Sequence, residues 1–276
     1  MPRFATSSMF FHEYSCEEIF TFAEEAGCTG IEFWLETPDF WLHDQPVEEI
    51  RDLIRSHQTL APITVHAPSL DLNPCSINPD VARISVAQAV HAIRTAERLW
   101  ATTITLHPGR RTARRPPSGT DYERFEYYIS ALGDAARGRQ VRVAIENMEP
   151  KVNSLLCTPE DLSELLHNEP WLYFTLDTAH AMAGRPGDLM NYIDCCHARI
   201  ANVHVSAKEG SKMHTPPHGN TEVKNALERL RSYGYSGSLT LELEDMNMET
   251  TGGSEGKIMQ LAKEVKFLKM CWKYSE

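Results

Sequence analysis

The chain has 276 residues, of which 42% are hydrophobic and 24% charged, a composition ordinary for a globular protein with a sizeable core. Its 27 basic and 38 acidic residues give a formal net charge of −11, which argues against a general nucleic-acid or membrane-surface binder. Seven irregularly spaced cysteines, with neither a bilayer-spanning apolar run nor a signal-peptide core, predict a cytoplasmic chain without a membrane partner.

Short runs rich in aliphatic and β-branched residues alternate with longer amphipathic runs along the chain. Apolar runs of this length are typical of strands buried on both faces of a parallel sheet. The predicted strands are residues 4–9, 30–33, 63–66, 103–107, 141–146, 172–177, 200–204 and 238–242.

The intervening runs carry readable helix signals. Asn78 before Pro79, and Thr158 before Pro159, are each typical of a helix that begins with an N-cap and a proline in its first turn. A last helix is predicted from an apolar stripe of Ile258, Leu261, Ala262, Val265, Leu268 and Trp272.

Eight β/α alternations in one chain favour a (β/α)₈ TIM barrel over an open sheet. No Pro/Gly/Ser-rich linker divides the sequence, so a single domain over residues 1–276 is predicted. The clusters at 110–120 and 211–220 are predicted to be loops after the fourth and seventh strands.

The predicted strands end in a recurring set of acids and histidines. Because the carboxyl ends of barrel strands converge on one rim, we expect these side chains to meet there. They are Glu32, His66, His107, Glu146, Asp177, His180, His204 and Glu242, with His214 in the loop after the seventh strand.

Each of these residues has an ordinary structural explanation when taken alone. A single histidine beside a strand is commonly a hydrogen-bonded rim residue, and Asp177 is a suitable helix N-cap. Bringing several carboxylates and imidazoles together is costly, however, unless a cation balances them. Mixed imidazole and carboxylate ligands favour Zn²⁺, Mn²⁺, Co²⁺ or Fe²⁺ over Ca²⁺.

The order VHAP, HPG, ENM, LDTAH, VHVS, HTPP and LELE resembles the xylose-isomerase-like TIM-barrel superfamily, over essentially the whole chain. That group includes sugar and sugar-phosphate isomerases and epimerases, and the abasic-site nuclease endonuclease IV. The resemblance implies a divalent-metal cofactor (Mn²⁺, Zn²⁺, Co²⁺ or Mg²⁺) with the ligands Glu146, Asp177, His204 and Glu242.

The resemblance also implies roles for four further histidines. His66 and His107 match ligands of a second metal in endonuclease IV, and His180 and His214 match two ligands of its third. The remaining third-metal ligand is an Asp in the nuclease, where this sequence has Lys212. These histidines are therefore interpreted as ligands of a second or third metal, or as substrate-binding groups.

The function implied is a metal-dependent isomerase or epimerase of a small sugar or sugar phosphate, in which Glu146 and Glu242 act as catalytic acid and base on an enediolate. Glu32, Trp34, Lys208 and Arg110 are candidate substrate contacts. An endonuclease IV-like zinc nuclease, which alone would have nucleic acid as a partner, and a dehydratase or lyase are the alternatives. The sugar, the physiological metal and homo-oligomerisation stay open.

Overall fold

Eight parallel strands close into a barrel in the computed structural model of the chain, which describes residues 1–248 and 253–273. The barrel strands are β1 Arg3–Ser7, β2 Gly30–Trp34, β3 Thr64–His66, β4 Thr103–Leu106, β5 Arg142–Glu146, β6 Tyr173–Asp177, β7 Ile200–Val205 and β10 Ser238–Leu241. A separate antiparallel hairpin consists of β8 Ala207–Glu209 and β9 Lys212–Thr215. The strands of the barrel pair in the order β1-β10-β7-β6-β5-β4-β3-β2.

Helices follow the strands and cover the outside of the barrel. Within the described residues they are α1 Cys16–Glu25, α2 Pro38–Leu42, α3 Val47–Ser56, α4 Pro79–Arg98, α5 Gly119–Ala136, α6 Pro159–Asn168, α7 Thr178–Met182, α8 Asp188–Cys196, α9 Thr221–Ser232 and α10 Gly253–Trp272. The predicted (β/α)₈ barrel in a single domain is confirmed.

The predicted helix starts are present and have the expected chemistry. Asn78 Oδ1 accepts a hydrogen bond from the Asp80 amide at 3.0 Å, and Thr158 Oγ1 accepts one from the Asp161 amide at 3.2 Å. Each bond satisfies an amide that a helix N-terminus leaves without an intrahelical partner. On α10 the buried face includes Leu261, Val265, Leu268 and Trp272.

Two local predictions were wrong. The first strand ends at Ser7 rather than residue 9, because Ser7 Oγ accepts from the Met9 amide and starts a 3₁₀ turn, Ser8–Phe11. The segment 211–220, predicted as a loop, contains β9, which pairs back onto β8. The hairpin is too short for its pattern to stand out in the sequence. The segment 110–120 is a loop until α5 begins at Gly119.

Two further findings bear on the sequence predictions. All seven cysteines are free in the described part of the chain, as their irregular spacing indicates. Across residues 1–248 and 253–273, no helix combines the length and apolar composition needed to cross a bilayer.

Candidate metal centre

Four acids and histidines meet at the carboxyl end of the barrel. Glu146 and Asp177 are the last residues of β5 and β6, His204 lies near the end of β7, and Glu242 follows β10 directly. One side-chain nitrogen or oxygen from each lies within 4.8 Å of those from the other three. The sequence places them together because Asp177 pairs in register with His204 and all the strands run in the same direction.

The donor atoms of this central cluster are buried and poorly satisfied. His204 Nδ1 lies 2.9 Å from Glu242 Oε2 and 3.5 Å from Glu146 Oε1. Among the described residues, Glu146 Oε2, Asp177 Oδ2, His204 Nδ1 and Glu242 Oε2 have no aligned hydrogen-bond partner. Buried polar atoms left without partners are costly, and three oxygens with one imidazole nitrogen form a donor set that a divalent ion would satisfy. The residues present therefore fit a metal ion.

A second cluster shares Glu146 with the first. His66 Nε2 lies 3.6 Å and His107 Nε2 lies 3.2 Å from Glu146 Oε2. His66 Nδ1 is 2.8 Å from the Ala67 carbonyl oxygen. Since a carbonyl only accepts, Nδ1 must carry a proton, and in the neutral imidazole that binds a metal Nε2 has its lone pair directed at the cluster.

A third cluster shares Asp177. His180 Nδ1 donates to the Asn147 carbonyl at 3.0 Å, and His214 Nδ1 lies 3.9 Å from Asp177 Oδ2. The two imidazole rings meet edge to face at 5.2 Å. These three residues can hold an ion by geometry, although Lys212, in the position of the nuclease's aspartate, is exposed on β9.

Burial and mutual proximity shift the pKa values of this group strongly. Burial alone would raise the pKa of Glu146, but His204 and His107 outweigh it and hold that pKa well below its usual range. Burial raises the pKa of Asp177 to about 6. Burial opposes the charged form of His180, yet Asp177 and Glu146 raise its pKa to about 10. Protonated imidazoles thus balance the carboxylates here, which is the role that a divalent ion takes over on binding.

Glu32 lies below the rim and not in the mouth of the barrel. Its Oε1 is 2.9 Å from His204 Nε2, within ion-pair distance, although the alignment falls short of a regular hydrogen bond. Its Oε2 accepts from Asn202 Nδ2 and, at 3.3 Å, from Thr64 Oγ1. The fully buried carboxylate is therefore occupied by barrel residues. The substrate role predicted for it gains no support, and its geometry fits a group that orients His204.

The substitution Glu32→Gln is expected to weaken metal binding by about 10- to 100-fold, because a carboxylate behind a ligating imidazole fixes its orientation and raises its basicity. A competition titration with a metal indicator measures the change. Glu123→Gln, on the exposed surface of α5, is the matched control. Equal affinities of wild type and Glu32→Gln would contradict this role.

The other predicted substrate contacts lie at different depths. Trp34 is buried and stacks on His66, with ring centroids 3.8 Å apart and planes 7° from parallel. Its indole nitrogen has no hydrogen-bond partner in the described residues. Lys208 is half-buried on β8, and Arg110 is exposed at the start of the loop after β4. Whether any of them touches a substrate stays a prediction.

Sequence reasoning missed Asn147. Its Oδ1 accepts from the Asp177 amide at 2.8 Å and its Nδ2 donates to the Asp177 carbonyl at 3.0 Å, so it ties the ends of β5 and β6 together. Its position directly after Glu146 was the one available signal. An amide side chain there has both the donor and the acceptor that a neighbouring backbone requires.

A pocket of about 130 Å³ opens beside these clusters. Its lining comes from the segments that follow β3, β4, β5 and β6 and includes Ser69, His107, Arg110, Glu149, Lys151 and His180. A larger cavity, of about 590 Å³, lies at the opposite end of the barrel where β5 and β6 begin. Cavity size therefore does not locate the candidate site; the convergence of buried polar groups does.

The parallel barrel and its buried acids and histidines together define a TIM-barrel protein with a candidate metal centre at the carboxyl ends of its strands. The chain belongs to the xylose isomerase-like TIM barrel family, whose model matches residues 20–271. The family resemblance seen in the sequence is thereby confirmed.

Individual relatives agree with this assignment. The chain is 31% identical over 271 residues to an uncharacterised protein of Methanocaldococcus jannaschii, covering 97% of this chain and 98% of that protein. It also superposes on a D-tagatose 3-epimerase-like protein with a TM-score of 0.79 at 23% identity, covering 98% of this chain and 96% of that one.

Two further solved structures have the same fold. An L-ribulose 3-epimerase superposes with a TM-score of 0.80 at 16% identity, covering 99% of this chain and 95% of that one. A 3-keto-D-glucoside 4-epimerase from E. coli superposes with a TM-score of 0.79 at 15% identity, covering 96% and 99%. At these identities the likeness establishes the fold, and the activity has to be argued from the site.

Proposed function

We propose that this protein is a divalent-metal-dependent isomerase or epimerase of a small sugar or sugar phosphate. The observation that carries the proposal is the central cluster, in which Glu146 and Glu242 converge with Asp177 and His204 on one point of the barrel rim. The sugar epimerases with the same fold add support for a sugar substrate. Action in the cytoplasm on a small molecule is part of the proposal.

The positions of the two glutamates support their proposed roles as an acid/base pair. Glu146 is 1% exposed at the end of β5, while Glu242 is 13% exposed beyond β10, and the two strands β6 and β7 lie between them. One carboxylate removes the proton from the carbon next to the carbonyl, and the other delivers a proton to the opposite face. When bound, a divalent ion supplies Lewis-acid stabilisation of the negative charge that develops on the substrate oxygens.

A second candidate function is phosphodiester hydrolysis at abasic DNA. The specific observation in its favour is that the two outer clusters share Glu146 and Asp177 with the central one, so that several ions would lie close together. Neighbouring metals are a common device for stabilising attacking and leaving oxygens in phosphoryl chemistry. Lys212 and the net charge of −11 count against this candidate. A dehydratase or lyase would form the same enediolate as an isomerase, and its different products distinguish it.

Incubation of the metal-loaded protein with ketoses in D₂O distinguishes these functions. We expect deuterium to enter at the carbon next to the carbonyl of one or more ketoses or ketose phosphates, measured by NMR, in the presence of Mn²⁺, Co²⁺ or Zn²⁺. A product that has lost water would indicate a dehydratase. Cleavage of an abasic duplex without any sugar exchange would overturn the proposal in favour of the nuclease.

A further inference from the structure

The loops that follow β3, β4 and β5 are tied together beside the candidate metal centre. Asn73 Oδ1 accepts from the Arg110 amide at 3.0 Å, and Asn73 Nδ2 donates to the Arg110 carbonyl at 2.9 Å. Arg110 also forms an antiparallel bridge with Ser154. Because Asn73 is buried, water competes little for these bonds. They hold the backbone of Arg110 in one place at the edge of the site.

Gly109 reflects the same constraint. Its φ of +82° lies in the left-handed region that favours glycine, and a Cβ there would come within 2.9 Å of Asn73 Oδ1 and 3.0 Å of Pro74 Cγ. The close approach of the loop to Asn73 thus requires a residue without a side chain. Arg110 is presented by a fixed backbone rather than by a free loop.

The guanidinium of Arg110 forms no hydrogen bond or ion pair with the described residues, unlike two of its neighbours. Arg111 Nη1 donates to the Pro116 carbonyl at 2.7 Å, and Arg115 Nη1 donates to the Arg114 carbonyl at 3.1 Å. Of the four arginines in this loop, Arg110 alone lines the pocket that reaches the metal clusters.

The other charged pair of the pocket is already satisfied. Lys151 and Glu149 both line it, and the Lys151 ammonium pairs with the Glu149 carboxylate at 2.6 Å. Of the arginine and lysine side chains that line this pocket, Arg110 is therefore the one without an ion-pair partner among the described residues. A planar fork of N–H donors matches the oxygens of phosphate or carboxylate.

We infer that this pocket binds an anionic group of the substrate, a phosphate or a carboxylate, through Arg110. The inference rests on the proposed function for the placement of the sugar: its reacting carbons lie at the central cluster while its charged end reaches the pocket. The substrate class then narrows from small sugars in general to sugar phosphates and sugar acids.

Direct binding tests the inference without any turnover. Calorimetry on the metal-free 276-residue chain uses inorganic phosphate and acetate as probes. We expect wild type to bind one or both, and Arg110→Ala to bind about 10-fold more weakly or worse, since a charge-assisted hydrogen bond is lost. Arg114→Ala, exposed and outside the pocket, is the matched control and should bind like wild type. Absence of binding by wild type, or equal binding by Arg110→Ala, would overturn the inference.

Kinetics with a matched pair of substrates, ribulose and ribulose 5-phosphate, test the same inference during turnover. We expect Arg110→Ala to raise KM for the phosphorylated sugar by about 10-fold more than KM for the neutral one. A sugar acid with a ketone group separates carboxylate from phosphate recognition. An equal loss for neutral and charged sugars contradicts the inference. If no sugar exchanges protons, the proposed function fails, while the calorimetry still decides whether the pocket binds anions.

Discussion

Replacing Glu146 by Gln is expected to lower kcat by about 10³-fold or more, because the change removes a catalytic carboxylate and a metal ligand together. Glu146 is the one residue shared by the central cluster and the cluster of His66 and His107. Glutamine keeps the shape of the side chain but cannot take the substrate proton. The rate at which the product sugar forms and the metal content of the purified variant are the two measurements.

The controls for this prediction separate the loss of the catalytic carboxylate from a general effect of the substitution on folding. Glu123→Gln makes the same chemical change on the exposed surface of α5 and should retain full activity. In the paired mechanism, Glu242→Gln also abolishes epimerisation but leaves proton exchange from one of the two epimers. Activity of Glu146→Gln within about tenfold of wild type would contradict a catalytic role for this carboxylate.

Removal of the metal is expected to lower the thermal stability of the protein as well as its activity. An ion that binds only the folded chain adds about 2.7 kcal/mol to the free energy of unfolding at 100 times its Kd. For a domain of this size that corresponds to roughly 5 to 10 °C in Tm. Buried oxygens of Glu146, Asp177 and Glu242 have no hydrogen-bond partner among the described residues when the ion leaves. Calorimetric melting with and without a chelator measures the shift.

Two histidine variants test whether the change in Tm depends on the central cluster. His204→Ala removes a central donor, so its Tm should respond little to added Mn²⁺, Co²⁺ or Zn²⁺. His91→Ala, on the exposed side of α4, should keep the full response of wild type. The same response in both variants would mean that the stabilising ion binds elsewhere.

The sequence predicted those features whose position follows from hydrophobic periodicity or from the end of a strand. Buried apolar strands and Asn78 or Thr158 N-caps are local signals; they identified all eight barrel strands, although the first ends two residues earlier than predicted, and both helix starts. The convergence of Glu146 with Glu242, almost a hundred residues apart, followed because parallel strands of a closed barrel end at one rim. The regular architecture of the barrel therefore brings residues that are scattered along the sequence into one cluster.

Features that depend on contacts between residues distant in the sequence could not be predicted from the sequence. Glu32 reads as a rim residue because it lies on the second strand, but its depth in the barrel directs it to His204 and Asn202. Asn147 and Asn73 act through backbone groups that are distant in sequence. The hairpin of β8 and β9 turns at Gly210, whose φ is +59°, but one glycine in a polar segment is equally typical of a loop.

Crystals grown with Zn²⁺ and measured at the zinc absorption edge test the metal centre most directly. We predict an anomalous peak about 2.0–2.2 Å from oxygens of Glu146, Asp177 and Glu242 and from a ring nitrogen of His204. A folded barrel in which these four side chains surround no such peak, at saturating Zn²⁺, would contradict the metal centre and the chemistry proposed for it.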